Sequence, residues 1–224
     1  MYTAAYSENK IPVVARKIET DDGILTWVVS RGGIPLTSSE NDRQRTSLNN
    51  LIADPGFLNR NRKAMRDDAV RINTLLASLP TSVQFDCLAR NGSEAKVDFK
   101  PKPGYSPWNL EQRVIAGMSG TLVLDLKEMR LISADGAMQN DLSLFLGFGR
   151  IYKGSSVSLK RARAGTDAWE TIDVSTHIKG QLLFLKTIAQ DRDESRSDYC
   201  LAPNGLKARD ALSYLENRKC QSIQ

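Results

Sequence analysis

The clearest alternation of apolar and polar positions in the chain runs from Ser119 to Gly136. Leu122, Leu124 and Leu126 alternate with Thr121, Val123 and Asp125, the two-residue period of a strand with one buried face. Lys127 and Glu128 reverse the chain. Met129, Leu131 and Ser133 then alternate with Arg130, Ile132 and Ala134, which predicts the returning strand of an antiparallel hairpin. Two further strands are predicted at 12–19 and 24–30, joined by an Asp21-Asp22-Gly23 turn, with Trp27 and Val29 on one face of the second. Strands at 83–90 and 95–100 flank Asn91-Gly92, a strong hairpin signal. Beyond the opening hairpin the pattern recurs at 139–147, 156–163, 168–178 and 182–190, the last two separated by a short turn at Lys179-Gly180-Gln181.

One block breaks this rhythm. From Ser39 to Ala53 the apolar positions Leu48, Leu51 and Ile52 fall at helical spacing, and Asp54-Pro55-Gly56 ends the run. A longer helix follows from Phe57 to Leu79, with Leu58, Met65, Ala69, Ile72, Leu76 and Leu79 in one apolar stripe, and Pro80 is expected to stop it. The segment from Pro101 to Pro107 holds three prolines, a density that excludes a central strand and predicts a crossing connection. After Pro203-Asn204-Gly205 a short amphipathic helix would carry Leu206, Ala208, Leu212 and Leu215, or the segment is only a tail. Seven or more antiparallel strands with one helical block argue for an α+β fold, a large curved antiparallel sheet with helices on one face. One domain is expected over 1–199, with its helical lid at 39–79, and a C-terminal tail over 200–224.

Composition narrows the function classes. The chain has 224 residues, 41% of them hydrophobic, enough for a substantial core, and 31 basic against 26 acidic residues give a net charge of +5. So mild an excess is screened within about 8 Å at physiological salt and argues weakly for a nucleic-acid partner. The basic residues Arg60, Arg62, Lys63, Arg66 and Arg71 of the long helix are interrupted by Asp67 and Asp68, the ordinary appearance of a solvated face. No apolar run approaches the roughly 20 residues needed to span a bilayer, so a soluble protein is expected, without a transmembrane segment. Of three cysteines, Cys200 and Cys220 would close a loop in an oxidising compartment or remain two thiols near a loose tail. No CxxC spacing points to zinc or to a redox dithiol.

Candidate chemistry is sparse. The sole histidine, His177, lies in a predicted strand and reads as a partly exposed or hydrogen-bonded side chain; any Ser-His-Asp triad would have to use it. The GMSGT segment at 117–121 lacks the second glycine of a nucleophile elbow and leads into a strand. The glycines of 147–154 do not match a phosphate-binding loop, and no acidic cluster has a second ligand set. No catalytic residue, metal or cofactor is therefore expected. The remaining signal is an excess of large apolar side chains in strands whose second face is also apolar. That face either packs on helices or lines an apolar cavity between sheet and helix.

A set of segments carries a resemblance: Gly33-Ile34-Pro35-Leu36, the run from Phe99 to Pro107, Gly120-Thr121-Leu122-Val123-Leu124-Asp125, Lys153-Gly154, and Leu183-Phe184-Leu185-Lys186-Thr187. Together they resemble a group of exported bacterial proteins of acidobacterial type, similar to the lipoprotein-carrier superfamily typified by LolA and LolB. The resemblance implies an unclosed antiparallel barrel wrapped around lid helices, and a periplasmic or envelope location with the export leader not present in this chain. It transfers no individual functional residue. The expected function is a non-enzymatic envelope protein holding a lipid or lipoprotein acyl chain between the sheet and the 57–79 helix. Chosen by apolar type and predicted face, its ligand-binding residues are Trp27, Met65, Ile72, Leu76, Leu122, Leu124, Phe145 and Phe184. A small-molecule enzyme on the same fold, or an interaction module that engages an envelope protein, stands as the alternative.

Overall fold

The computed structural model describes residues 1–144, 149–164, 168–182, 186–217 and 221–222. Strands β1 (Tyr2–Glu8), β2 (Ile11–Thr20), β3 (Gly23–Arg31) and β4 (Ile34–Pro35) precede helices α1 (Ser38–Ala53) and α2 (Pro55–Ser82). Then follow β5 (Val83–Asn91), β6 (Glu94–Pro101), α3 (Leu110–Ala116), β7 (Met118–Asp125) and β8 (Arg130–Met138). The remainder comprises β9 (Leu142–Leu144), β10 (Gly149–Ile151), β11 (Ser156–Ala164), β12 (Ala168–Leu182), β13 (Lys186–Ser197), β14 (Cys200–Leu201), α4 (Ala208–Asn217) and β15 (Gln221–Ser222). The main sheet runs β4-β3-β2-β1-β13-β12-β11-β8-β7-β6-β5, with β9 and β10 off this path. The path has two ends and does not close. The fold is thus α+β around one large unclosed antiparallel sheet, as the alternation predicts. Each end is blunted against further pairing: β4 is two residues long and contains Pro35, and β5 carries a bulge between Cys87 and Ala89.

Several elements differ from expectation. β1 pairs with both β2 and β13, although its small residues Ala4 and Ala5 give the alternation little weight. Met129 sits in the β7–β8 turn with φ 53° and not in the returning strand. Residues 179–181 continue β12, because Arg150 and Ile151 of β10 pair with Gln181 and Gly180 and hold the backbone extended. Pro80 lies inside the last turn of α2. There it removes a single helix bond, and the hydroxyls of Ser78 and Thr81 donate to the carbonyls of Leu75 and Ser78 at 2.8 and 2.9 Å. The segment after the prolines forms α3, whose N-cap Asn109 accepts from the Gln112 N–H.

The chain divides into two compact units. The first comprises 1–70, 163–168 and 194–224, the second 71–162 and 169–193. The core of the first unit joins Ile18, Leu25 and Trp27 of β2 and β3 to Ile52 of α1 and to Ala211, Leu212 and Leu215 of α4. Of the two readings of the C-terminal segment, the short amphipathic helix is the one found, and α4 contributes Ala208, Ala211, Leu212 and Leu215 to this core. Both ends of α4 are clamped by β2 and the β2–β3 turn. The Asp22 carboxylate accepts the Ala208 N–H at 3.0 Å, Asp21 pairs with Lys207 at 2.8 Å, and Arg16 Nη1 donates to the Leu215 and Glu216 carbonyls at 2.7 and 2.9 Å. An acid at the N-terminus and a base at the C-terminus both complement the helix dipole. A capping box between Thr37 and Glu40 starts α1, and Gln44 then takes both backbone groups of Val28, at 2.8 and 3.2 Å. Cys200 is disulfide-bonded and Cys87 is free and exposed; the expected partner, Cys220, lies outside the described residues.

Candidate functional site

In the second unit the strand register sorts side chains to two faces. Phe99 pairs with Gly120, Gly120 with Gly136, and Gly136 with Val157, so these positions share one face across β6, β7, β8 and β11. The two-residue period adds Ala95 and Val97 of β6 and Met118, Leu122 and Leu124 of β7 to that face. Ala134 and Leu131, opposite Leu122 and Leu124, extend it over the bulge in β8. The face is apolar throughout. Asp98, Thr121, Asp135 and Ser158 are paired in the same way and form a polar row on the other side.

The apolar face is incompletely covered. Ala95, Phe99 and Met138 are buried, but Val97, Leu122, Leu124, Leu131 and Ala134 are only half-buried, and Val157 is 40% exposed. None of the eight residues of β7 is buried, although β6 and β8 hydrogen-bond to it on both sides. Interior strands of a well-packed domain bury at least one face, so this face carries apolar surface that the described residues cover only in part. A close approach of backbones shapes the face. A Cβ built on Gly120 would lie 1.8 Å from the Asp135 carbonyl oxygen, and one on Gly136 would meet the Met118 methyl at 2.8 Å and the Phe99 ring at 3.2 Å. Met118 and Phe99 fill the space over Gly136.

The residues predicted for the ligand site are distributed as follows. Leu122 and Leu124 stand together on the half-open face. Ile72 and Leu76, in the part of α2 that belongs to the second unit, are 55% and 56% exposed. Met65 lies on the part of α2 in the first unit and is 36% exposed. Trp27, also in the first unit, is buried against the α4 core and lines a recess of about 530 Å³ with Val29, Arg16 and Arg45. Phe145 and Phe184 lie outside the described residues.

Two polar groupings stand out, one of them around His177, which is a partly exposed, hydrogen-bonded strand histidine as expected. On β12 and β13, His177 Nε2 lies 2.9 Å from Ser175 Oγ and His177 Nδ1 lies 2.8 Å from Asp191. The Ser175 hydroxyl donates to Asp193, so its proton is not directed at the imidazole. These contacts tie β12 to β13. The second grouping is a recess of about 420 Å³ on the polar side of β5–β7, where Thr121 Oγ1 donates to Asp98 at 2.7 Å and Lys100 pairs with Asp86 at 2.7 Å. The Lys100 ammonium holds the Asp86 carboxyl below its ordinary range. Sequence alternation places Asp98 opposite Val97 and Phe99 in facing, but only the cross-strand register brings Thr121 against it. Among the described residues, no three His, Cys, Asp or Glu side chains are placed to share a metal ion, and no helix is long and apolar enough to cross a membrane. No family model, curated protein or solved structure matches the chain.

Proposed function

We propose that the protein is an envelope protein that binds a lipid, or the acyl chain of a lipoprotein, on the apolar face of β6–β8. The observation that carries this reading is the half-open β7, an interior strand with Leu122 and Leu124 in a face left accessible. Apolar area of this kind gains free energy when an acyl chain covers it, about 0.8 kcal/mol for each CH₂ removed from water. The resemblance to lipoprotein carriers points to the same class of ligand and to the periplasm as the place of action.

The test is displacement of a fluorescent fatty acid by saturated fatty acids of increasing length, on the wild-type chain and on Leu122→Glu. Affinity is expected to rise about fourfold per methylene, the factor equivalent to ~0.8 kcal/mol. Leu122→Glu should abolish saturable binding, because an ionised carboxylate would face the ligand. Absence of saturable binding to the wild type, or affinity independent of chain length, refutes the reading.

A further inference from the structure

The recess on the polar side of β5–β7 is built differently from the apolar face and has its own chemistry. Asp98 is half-buried, yet the partner its carboxylate has among the described residues is the neutral hydroxyl of Thr121. A carboxylate withdrawn from water without a cation is stabilised by one when it arrives. The neighbouring Lys100 does not meet this need, since its ammonium pairs with Asp86. Asp135, next in the cross-strand row beyond Thr121, adds further negative potential. An anionic ligand is therefore disfavoured, and a zwitterion finds the lysine already engaged.

Beside the Lys100–Asp86 pair and Phe99, the walls around Asp98 carry hydroxyl and amide groups: Ser119 and Thr121 two residues apart on β7, and Gln139 just beyond β8. These offer several donors and acceptors at short spacing, which matches a ligand bearing adjacent hydroxyls better than a linear polyamine. Leu88, bulged out of β5 and 54% exposed, supplies an apolar patch at the rim, against which the C–H face of a sugar ring can lie. The volume of about 420 Å³ is of the size of small-ligand pockets. We propose that this recess binds an amino sugar, its ammonium on Asp98 and its hydroxyls on Ser119, Thr121 and Gln139.

Phe99 and Gly120 also border the recess, but Asp98, Ser119 and Thr121 alternate with the residues of the apolar face, so the proposal does not rest on the acyl-chain reading. The probes are D-glucosamine, N-acetyl-D-glucosamine and D-glucose, followed by saturation-transfer NMR and by amide shift mapping at mildly acidic pH, where the free amine is charged. Glucosamine should bind saturably and shift the amides of 98–100 and 119–121. Loss of a charge-assisted hydrogen bond corresponds to roughly tenfold or more in affinity. Hence both uncharged sugars, and glucosamine with Asp98→Asn, should be weaker by that factor. The asparagine keeps an acceptor for Thr121, and the comparison of sugars on the wild type needs no variant to fold. No saturable glucosamine binding, equal binding of glucose, or an Asp98→Asn chain of undiminished affinity each overturns the proposal.

Discussion

Replacing Asp22 tests whether the C-terminal helix is a structural member of the first unit. Asp22 is 5% exposed, and its two oxygens accept the Ala208 N–H at 3.0 Å and Arg62 Nε at 2.9 Å. A hydrogen bond to a charged group contributes about 1.5–3 kcal/mol, and a favourable charge at a helix N-terminus about 0.3–1 kcal/mol more. The Arg62 side chain is 44% exposed, so its ion pair is worth at most about 1 kcal/mol. Asp22→Ala, which also leaves the Ala208 N–H without its acceptor, should cost about 3 kcal/mol, or roughly 6–12 °C in Tm for a chain of this size. Asp22→Asn retains an acceptor and should cost about half as much. The backbone hydrogen bond from Ala208, aided by Arg62 and opposed by burial, holds the carboxyl below its ordinary value of 3.8. With the folded value depressed, the charge stabilises fully above the unfolded pKa, and this contribution disappears as pH falls through the folded one. Urea unfolding followed by near-ultraviolet circular dichroism should therefore show a constant difference between wild type and Asp22→Asn near neutrality that shrinks below about pH 4. A difference under about 0.5 kcal/mol at neutral pH, or one that persists unchanged in strong acid, would refute the clamp.

Two further outcomes follow from single contacts. Lys17 and Glu194 form a buried pair at 2.6 Å, and Arg196 Nε pairs with the other Glu194 oxygen at 2.8 Å, so Lys17→Met should destabilise by less than the roughly 3–5 kcal/mol of a fully orphaned buried charge, and adding Arg196→Met should bring the loss in chemical denaturation up toward that range. Gly120→Ala places a methyl group 1.8 Å from the Asp135 carbonyl oxygen, and hydrogen exchange should show the β7–β8 pairing opened locally; protection equal to wild type would mean that the methyl is accommodated without opening the pairing, and would refute the close approach.

What the sequence disclosed follows from which signals are local. The β2–β3, β5–β6 and β7–β8 hairpins were legible because alternation and turn chemistry act within a few residues, as at Asp21-Asp22-Gly23 and Asn91-Gly92. The same logic placed Leu122 and Leu124 on one face, which the pairing with Val97 and Ala95 reproduces. β1 was missed because alanine contributes little to a hydrophobic pattern, yet Ala4 is fully buried. Periodicity showed that α2 and α4 each carry an apolar stripe but could not say what meets it. For α4 the answer is β2 and β3, nearly the whole chain away, while Ile72 and Leu76 of α2 stand largely exposed. The Asp98–Thr121 and His177–Asp191 contacts were invisible for the same reason, since both depend on register between strands.

If the second unit binds an apolar ligand as proposed, the two units face opposite requirements. A sheet that offers an apolar face to a ligand cannot bury that face in its own core, because the free energy gained on binding is the area still in contact with water beforehand. In the first unit, Ile18, Ala211 and Leu215 are fully buried, and truncating such side chains costs the transfer term plus a cavity, about 2–5 kcal/mol for Leu215→Ala. In the second, Leu122 is partly exposed, so Leu122→Ala removes less buried area. The same substitution removes apolar surface from the face that an acyl chain would cover. Stability and ligand affinity should consequently respond to different residues: truncations among the α4 contacts move the unfolding midpoint, and truncations along β7 move the affinity for the apolar ligand with a smaller change in stability.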